Sequence, residues 1–261
     1  GYGLMGFDLT DKIALITGAS SGIGAACARL FATAGARLIL SARRKEKLQV
    51  LADELETTCG TKTWLLPLDV QQSAAVTAAM KQLPEDWQQI DVLVNNAGLS
   101  RGLDRQQEAP LQDWEEMIDT NVKGLLYMTR AVVPGMVTRA SGHVVNIGSI
   151  AARYTYPGGS VYCATKAAVK VLSEGLKIDL LGTPIRVTNI EPGLVETAFS
   201  EVRFRGDTDR AKGVYAKMTA LTPEDIADSI LFAVTRPAHV NISELYIIPT
   251  DQSSGTLIHR E

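Results

Sequence analysis

The chain has only three cysteines, Cys27, Cys59 and Cys163, and only three histidines, His143, His239 and His259, in 261 residues. The cysteines are scattered and odd in number. That excludes a disulfide framework and fits the reduced thiols of a cytoplasmic protein. The histidines lie far apart with no metal-ligand spacing, so no metal site is expected. No apolar run approaches the roughly 20 residues needed to cross a bilayer. Neither sign of charge dominates: 26 Lys and Arg stand against 29 Asp and Glu, for a net charge of −3. With no basic run either, neither nucleic acid nor an anionic membrane is an expected partner. Gly1–Phe7 lack the charged flank and long apolar stretch of a secretory leader, and residues 1–8 read as a frayed or cloning-derived start.

What is present is a regular alternation. Short apolar runs at Lys12–Thr17, Ala36–Ser41, Thr63–Leu68, Asp91–Asn95, His143–Gly148, Ile185–Glu191 and Leu245–Pro249 read as strands. Several are apolar almost throughout, as parallel strands covered on both faces are. Helical patterns lie between them at Ile23–Ala34, Lys45–Glu56, Ser73–Leu83, Leu111–Thr138, Val161–Leu181 and Pro223–Val234. This order predicts an α/β chain forming a single doubly wound, Rossmann-type domain over 1–261, with a seven-stranded parallel sheet flanked by helices. Thr222-Pro223-Glu224-Asp225 has the cap, proline and acids of a helix start. The longest irregular stretch, about Thr197–Gly213, reads as a lid.

Two stretches carry chemistry. In Thr17-Gly18-Ala19-Ser20-Ser21-Gly22-Ile23-Gly24 the glycines fall between a strand and a helix, where a dinucleotide pyrophosphate meets helix N-terminal amides. A glycine turn alone is a weak signal; its flanking elements favour nucleotide binding over a bare tight turn. After the second strand the chain reads Ser41-Ala42-Arg43-Arg44-Lys45, with no acid to hold a ribose 2′-hydroxyl. A guanidinium suits a 2′-phosphate, so NADP(H) is the expected cofactor, with Arg43 first and Arg44 second.

In the other stretch, Tyr162 and Lys166 are four apart in a helical pattern and share a face, with Ser149 upstream at the carboxyl end of a strand. A free tyrosine has a pKa of about 10. A nearby ammonium lowers it, so Lys166 is expected to ready Tyr162 for proton transfer and to reach the nicotinamide ribose. Ser149 is placed to polarise a substrate carbonyl. Asn121 interrupts a long helical pattern at a local cost, which invites a purpose such as holding water. Singly these residues read as a cap, a packed ring and a surface amine. Together, after a glycine turn, they predict hydride transfer to or from a carbonyl.

This set resembles the short-chain dehydrogenase/reductase family along nearly the whole chain. The resemblance assigns Gly18, Ser20, Ser21, Gly22, Ile23 and Gly24 to its cofactor motif. Asn95-Asn96-Ala97-Gly98 is similar to its fourth-strand motif, which places Asn96, Ala97 and Gly98 on the adenosine side. Asp69 and Val70 resemble its adenine contacts. Asn121, Ser149, Tyr162 and Lys166 match its catalytic tetrad, with Tyr162 and Lys166 also facing the cofactor. Pro192, Gly193, Val195 and Thr197 resemble its nicotinamide-binding segment.

Stretches such as Leu83–Trp87, Asp113–Asn121, Ile190–Val195, Val202–Asp207 and Pro237–Ile242 resemble the NADP-dependent serine/3-hydroxy acid dehydrogenases within that family. That likeness implies L-serine, L-allo-threonine or 3-hydroxypropionate type substrates, bound by Ser149 and Tyr162, and a homotetramer. A small acid needs a cation; Arg203 on the lid is the expected one, with Arg205 beside it. The alternative is a 3-oxoacyl-carrier-protein reductase or a broad ketone/aldehyde reductase with the same tetrad. For it, Arg101, Arg105 and Arg153 would supply a basic patch.

Overall fold

The computed structural model describes residues 6–261. Its sheet has seven strands: β1 (Ile13–Ile16), β2 (Arg37–Ala42), β3 (Thr63–Pro67), β4 (Val92–Asn95), β5 (His143–Ile147), β6 (Arg186–Pro192) and β7 (Glu244–Ile247). They run in the order β3-β2-β1-β4-β5-β6-β7, and every neighbouring pair is parallel. The expected doubly wound sheet is therefore the one observed. Its order reverses between β1 and β4, which opens a crevice at the carboxyl ends of those strands.

Both faces are covered. Helices α1 (Gly22–Thr33), α2 (Lys45–Cys59) and, from the far end of the chain, Pro223–Val234 cover one face. Helix α3 (Ser73–Lys81), the Leu125–Arg139 helix and the end of the Ser160–Asp179 helix cover the other. The strand Ile13–Ile16 explains why such runs lack polar residues: Ala14 and Ile16 join one core while Ile13 and Leu15 join the other.

The structure departs from the sequence expectation at two segments. The pattern Leu111–Thr138 is not one α-helix. It is α4 (Leu111–Ile118), a wider π-helical turn over Asp119–Gly124, and α5 (Leu125–Arg139). An added residue in a helical turn leaves the apolar pattern nearly intact, and π-turns gather at functional sites. After α6 (Ser160–Asp179), the stretch expected to be irregular from Thr197 to Gly213 folds into two short helices, α7 (Phe199–Arg203) and α8 (Thr208–Val214). Between them Arg205 and Gly206 hold φ of 51° and 92°, and Asp207 caps α8 by accepting from the Arg210 amide. The last helix, α9 (Pro223–Val234), starts with the expected Thr222 cap, which Asp225 completes reciprocally.

Of the start read as frayed, residues 1–5 lie outside the described residues. Gly6 and Phe7 are held by Arg236, which donates to the Gly6 carbonyl at 2.7 Å and lies over the Phe7 ring. Among the described residues no helix is long and apolar enough to cross a membrane. No group of three or more His, Cys, Asp or Glu among them could hold a metal.

His143 gives the fold an acid sensitivity. It is buried at the start of β5, with Nε2 2.7 Å from Thr188 Oγ1. Burial, with Arg186 and Lys177 nearby, pulls its pKa down to about 3. The unfolded chain takes up that proton near pH 6.5, so stability falls as pH drops from there toward 3. Between pH 7 and pH 4.5 the protein is expected to lose about 3 kcal/mol more than a His143→Gln variant, at about 1.4 kcal/mol per pH unit. Urea midpoints at the two pH values check this; equal losses in both proteins would refute it.

Candidate active site

A cleft of about 550 Å³ opens at the carboxyl ends of the central strands. The glycine turn forms its floor. Gly18 and Gly22 hold φ of 59° and 54°, a region glycine enters freely. Thr17 Oγ1 accepts from the amides of Asn96 and Ala97 at 3.0 and 2.9 Å. In return Asn96 Nδ2 donates to the carbonyls of Thr17 and Gly18, each at 3.2 Å. The turn and the end of β4 are thus one unit. A Cβ on Gly18 would lie 2.9 Å from Asn96 Nδ2. Ser21 precedes α1 without capping it, so its hydroxyl and the first-turn amides stay open to the cleft. A narrow, amide-lined cradle of this kind fits a pyrophosphate.

Gly22, Ile23, Asn96, Ala97, Gly98, Ser149, Tyr162, Lys166, Pro192, Gly193, Val195, Thr197 and Arg203 also line the cleft, as Gly18 and Ser21 do. The other expected residues do not line it. Gly24 packs against the Gly18 backbone. Ser20 lies within the turn. Arg43 and Arg44 follow β2 and are exposed, next to the turn because the Ala19 amide donates to the Ser41 carbonyl at 3.0 Å. Asp69 accepts from the Gln71 amide at 3.1 Å, and Val70 packs where a Cβ on Gly124 would fall.

The four tetrad residues converge from three directions. Asn121 sits in the π-turn, buried, and its amide donates to the Leu99 carbonyl at 2.8 Å and to Thr165 Oγ1 at 3.1 Å. Its Oδ1 accepts from the Leu99 amide at 2.9 Å, which leaves one acceptor position there. Ser149 follows β5, and its Oγ accepts from the Ala151 amide at 3.0 Å. Tyr162 and Lys166 share one face of α6, with Lys166 Nζ 5.9 Å from the centre of the Tyr162 ring. Nζ donates to the Ile147 carbonyl at 3.0 Å.

The electrostatics correct one expectation. The Tyr162 phenol lies above its ordinary range, not below it. Burial raises it and Tyr156 adds to that, while Arg203 and the Ser149 hydroxyl oppose. Lys166 is buried beside it. Its own pKa is pulled down to about 8 by burial. Helical spacing gives the shared face but not the depth of the site, and depth dominates here.

The cation above Tyr162 is Arg203. Its Nε donates to Ser100 Oγ at 2.9 Å and its Nη2 to the Tyr156 hydroxyl at 2.6 Å. Its guanidinium carbon is 5.3, 5.4 and 5.6 Å from the ring centres of Tyr162, Phe199 and Tyr156. All these partners are neutral. Other arginines are spent on carboxylates. Arg205 pairs with Asp113, Arg101 with Glu116 at 2.6 Å, and Arg153 with Glu191 and Glu244 at 2.7 and 2.8 Å. Tyr156, Ser100 and Phe199 escaped the sequence analysis. They lie 47, 103 and 4 residues from Arg203, and nothing local marks any of them.

The sequence matches the family described as short chain dehydrogenase over residues 12–207. It is 52% identical over 250 residues to the NADP-dependent 3-hydroxy acid dehydrogenase YdfG of Salmonella typhi, covering 95% of this chain and 99% of that protein. It is 45% identical over 244 residues to sulfoacetaldehyde reductase 2 of Chromohalobacter salexigens, covering 93% and 96%. A solved structure of the closed form of serine dehydrogenase complexed with NADP+ superposes with a TM-score of 0.89 at 49% identity, covering 95% of this chain and 100% of that one.

Proposed function

This chain belongs to the short-chain dehydrogenase family, and from that premise we propose that it interconverts a small 3-hydroxy acid and its carbonyl product, with Tyr162 as acid or base. It is an NADP-dependent oxidoreductase, and NADP(H) is its cofactor. The cofactor, when bound, accepts or supplies the hydride. The cradle of Gly18, Ser21, Gly22 and Ile23 takes the pyrophosphate, and Arg43 with Arg44 takes the 2′-phosphate. Asn96–Gly98 line the adenosine side, with Asp69 and Val70 as the adenine contacts beyond the cleft, and Pro192, Gly193, Val195 and Thr197 line the nicotinamide side.

In oxidation Tyr162 takes the proton of the substrate hydroxyl, and in reduction it returns it. Ser149 donates to the same substrate oxygen. Lys166, with a pKa near 8, exchanges a proton close to neutral pH. That suits a relay from Tyr162 to solvent through a water on the remaining acceptor position of Asn121. Leu126 and Val137 on α5, with Val171 and Ile178 on α6, are exposed apolar side chains. They supply the contact surface of the proposed homotetramer.

The observation that carries the acid substrate is the Arg203 guanidinium, which lines the cleft over Tyr162 with no carboxylate partner among the described residues. Such a group recognises a carboxylate through charge-assisted hydrogen bonds worth about 1.5–3 kcal/mol. The pairing of Arg101 and Arg153 with acids weakens the carrier-protein alternative, which needs a basic rim. A sulfonate is the second anion this guanidinium fits, in line with the reductase of C. salexigens.

The test is Arg203→Met, assayed with L-serine, L-allo-threonine, 3-hydroxypropionate and the methyl ester of the last, at a pH on the plateau of the rate profile. The KM for the acids is expected to rise about 10–100-fold, and at least tenfold more than for the ester. Equal rises would remove the carboxylate from the proposal. Sulfoacetaldehyde as sole efficient substrate would select the sulfonate.

A further inference from the structure

From Gly193 to Glu196 every backbone amide but one has a partner among the described residues. The Gly193 amide donates to the Ile247 carbonyl at 2.7 Å, and the Glu196 amide to the Leu221 carbonyl at 2.8 Å. The Leu194 amide donates to a side chain, Gln252 Oε1, at 2.9 Å. That leaves the Val195 amide, on a residue that lines the cleft. Gln252 is buried, lines the cleft as well, and belongs to a hairpin after β7, residues 251–259. Within the hairpin the His259 amide donates to the Asp251 carbonyl at 2.7 Å, and the Ser253 amide to the Leu257 carbonyl at 2.9 Å. The carboxamide of Gln252 is fixed at both atoms, since its Nε2 donates to the Ser254 carbonyl at 3.1 Å. Only glycine fits opposite it: a Cβ on Gly193 would strike Gln252 Oε1.

We propose that Gln252 is a positioning residue for the nicotinamide half of the cofactor: it takes the Leu194 amide, so that the Val195 amide is the donor the segment offers to the ring's carboxamide. This deepens the proposed function and rests on its assignment of Pro192, Gly193, Val195 and Thr197 to the nicotinamide side. The hairpin does not act alone. Tyr215, just past α8, donates to the Val195 carbonyl at 2.9 Å. Arg260, just past the hairpin, donates to the Val214 and Ala216 carbonyls on either side of Tyr215. Hairpin and lid therefore grip two consecutive residues of the segment and also each other. An apolar side chain at 252 leaves the Leu194 amide without an acceptor. A donor stranded in this way is worth about 5–150-fold in an equilibrium. The free protein escapes that cost by twisting the segment until the amide meets water in the cleft. The cofactor-bound protein must undo the twist, because the Val195 amide turns with it.

The experiment compares NADPH with 2′-phospho-ADP-ribose, which is the same molecule without its dihydronicotinamide. In Gln252→Leu the affinity for NADPH is expected to fall about tenfold, and that for 2′-phospho-ADP-ribose to stay within about twofold. The emission of bound NADPH, which arises in the dihydronicotinamide ring, is expected to move toward that of free NADPH. At saturating cofactor kcat is expected to fall about tenfold as well, since a loosely held ring is poorly aligned for hydride transfer. Gln252→Glu keeps an oxygen for the Leu194 amide and is expected to hold NADPH within about threefold of wild type. Gln252→Asn withdraws the amide by one methylene; it is expected to match Gln252→Leu and replaces it if that variant does not fold. Equal losses for the two ligands would reveal general loosening of the cleft and overturn the inference. So would an unchanged affinity ratio, or a loss in Gln252→Glu as large as in Gln252→Leu. Failure of the underlying assignment looks different. If wild-type protein binds NADPH but leaves its emission as it is in water, the cleft does not enclose the ring, and the nicotinamide side itself is misassigned.

Discussion

Tyr162→Phe is expected to lower kcat by at least about 10²–10⁴-fold while NADPH still binds, because it removes the group proposed to trade a proton with substrate oxygen. The substitution is nearly neutral for packing. Tyr162 sits in a small apolar cluster with Leu99, Met117, Ala151 and Cys163, and its ring faces Phe199 at 5.6 Å. Phe keeps those contacts. The hydroxyl it deletes is buried where ionisation is costly, so its loss does not strand a charge. Stability and cofactor affinity are therefore expected to stay near wild type while the chemical step collapses. Single-turnover oxidation of bound NADPH by a carbonyl substrate isolates that step. Tyr156 carries the other phenol at the site, but Arg203 already donates to its hydroxyl. If the Tyr162→Phe variant still turns over within tenfold of wild type, Tyr162 is not the proton carrier.

How much of this site a reader of the sequence can see depends on the range of the interaction. The glycine turn, the Tyr162–Lys166 pair and the strand ends are local patterns, and each appears where its spacing predicts. The sheet was legible because residues such as Ile13 to Ile16 feed two cores at once, which leaves nearly unbroken apolar runs. The π-turn was only half legible. Asn121 stood out as misplaced in a helix, but an added residue in one turn leaves no mark on the pattern. Helix α7 has five residues, fewer than two turns, too few for any periodicity to emerge. Its role comes from contacts with Ser100 and Tyr156, remote in sequence. The inverted electrostatics were the least legible, since the depth of Tyr162 and Lys166 follows from the packing of α4, α6 and α7 together.

Gly24→Ala is expected to weaken NADP(H) binding by at least about 100-fold, roughly 2.7 kcal/mol, and to lower the melting temperature. The methyl group has nowhere to go. A Cβ at this position would lie 2.2 Å from the Gly18 carbonyl oxygen and 2.6 Å from Asn96 Nδ2. Neither neighbour yields cheaply. The Gly18 carbonyl belongs to a backbone already at positive φ, and Asn96 Nδ2 holds both the Thr17 and Gly18 carbonyls. Relief therefore requires α1 to lift from the turn or Asn96 to release it. Overpacking alone costs about 1–3 kcal/mol, and each buried bond left unmade adds about 1–3 more. Both routes move the first-turn amides away from where a pyrophosphate would rest. Gly213, also within a helix, gives the contrast, since a Cβ there meets nothing within 4 Å. Gly213→Ala should leave affinity within twofold, on the order of 0.4 kcal/mol. Fluorescence titration of NADPH against the two variants reads the difference. If Gly24→Ala binds as tightly as Gly213→Ala, the turn is not the rigid cradle that cofactor binding in this chain requires.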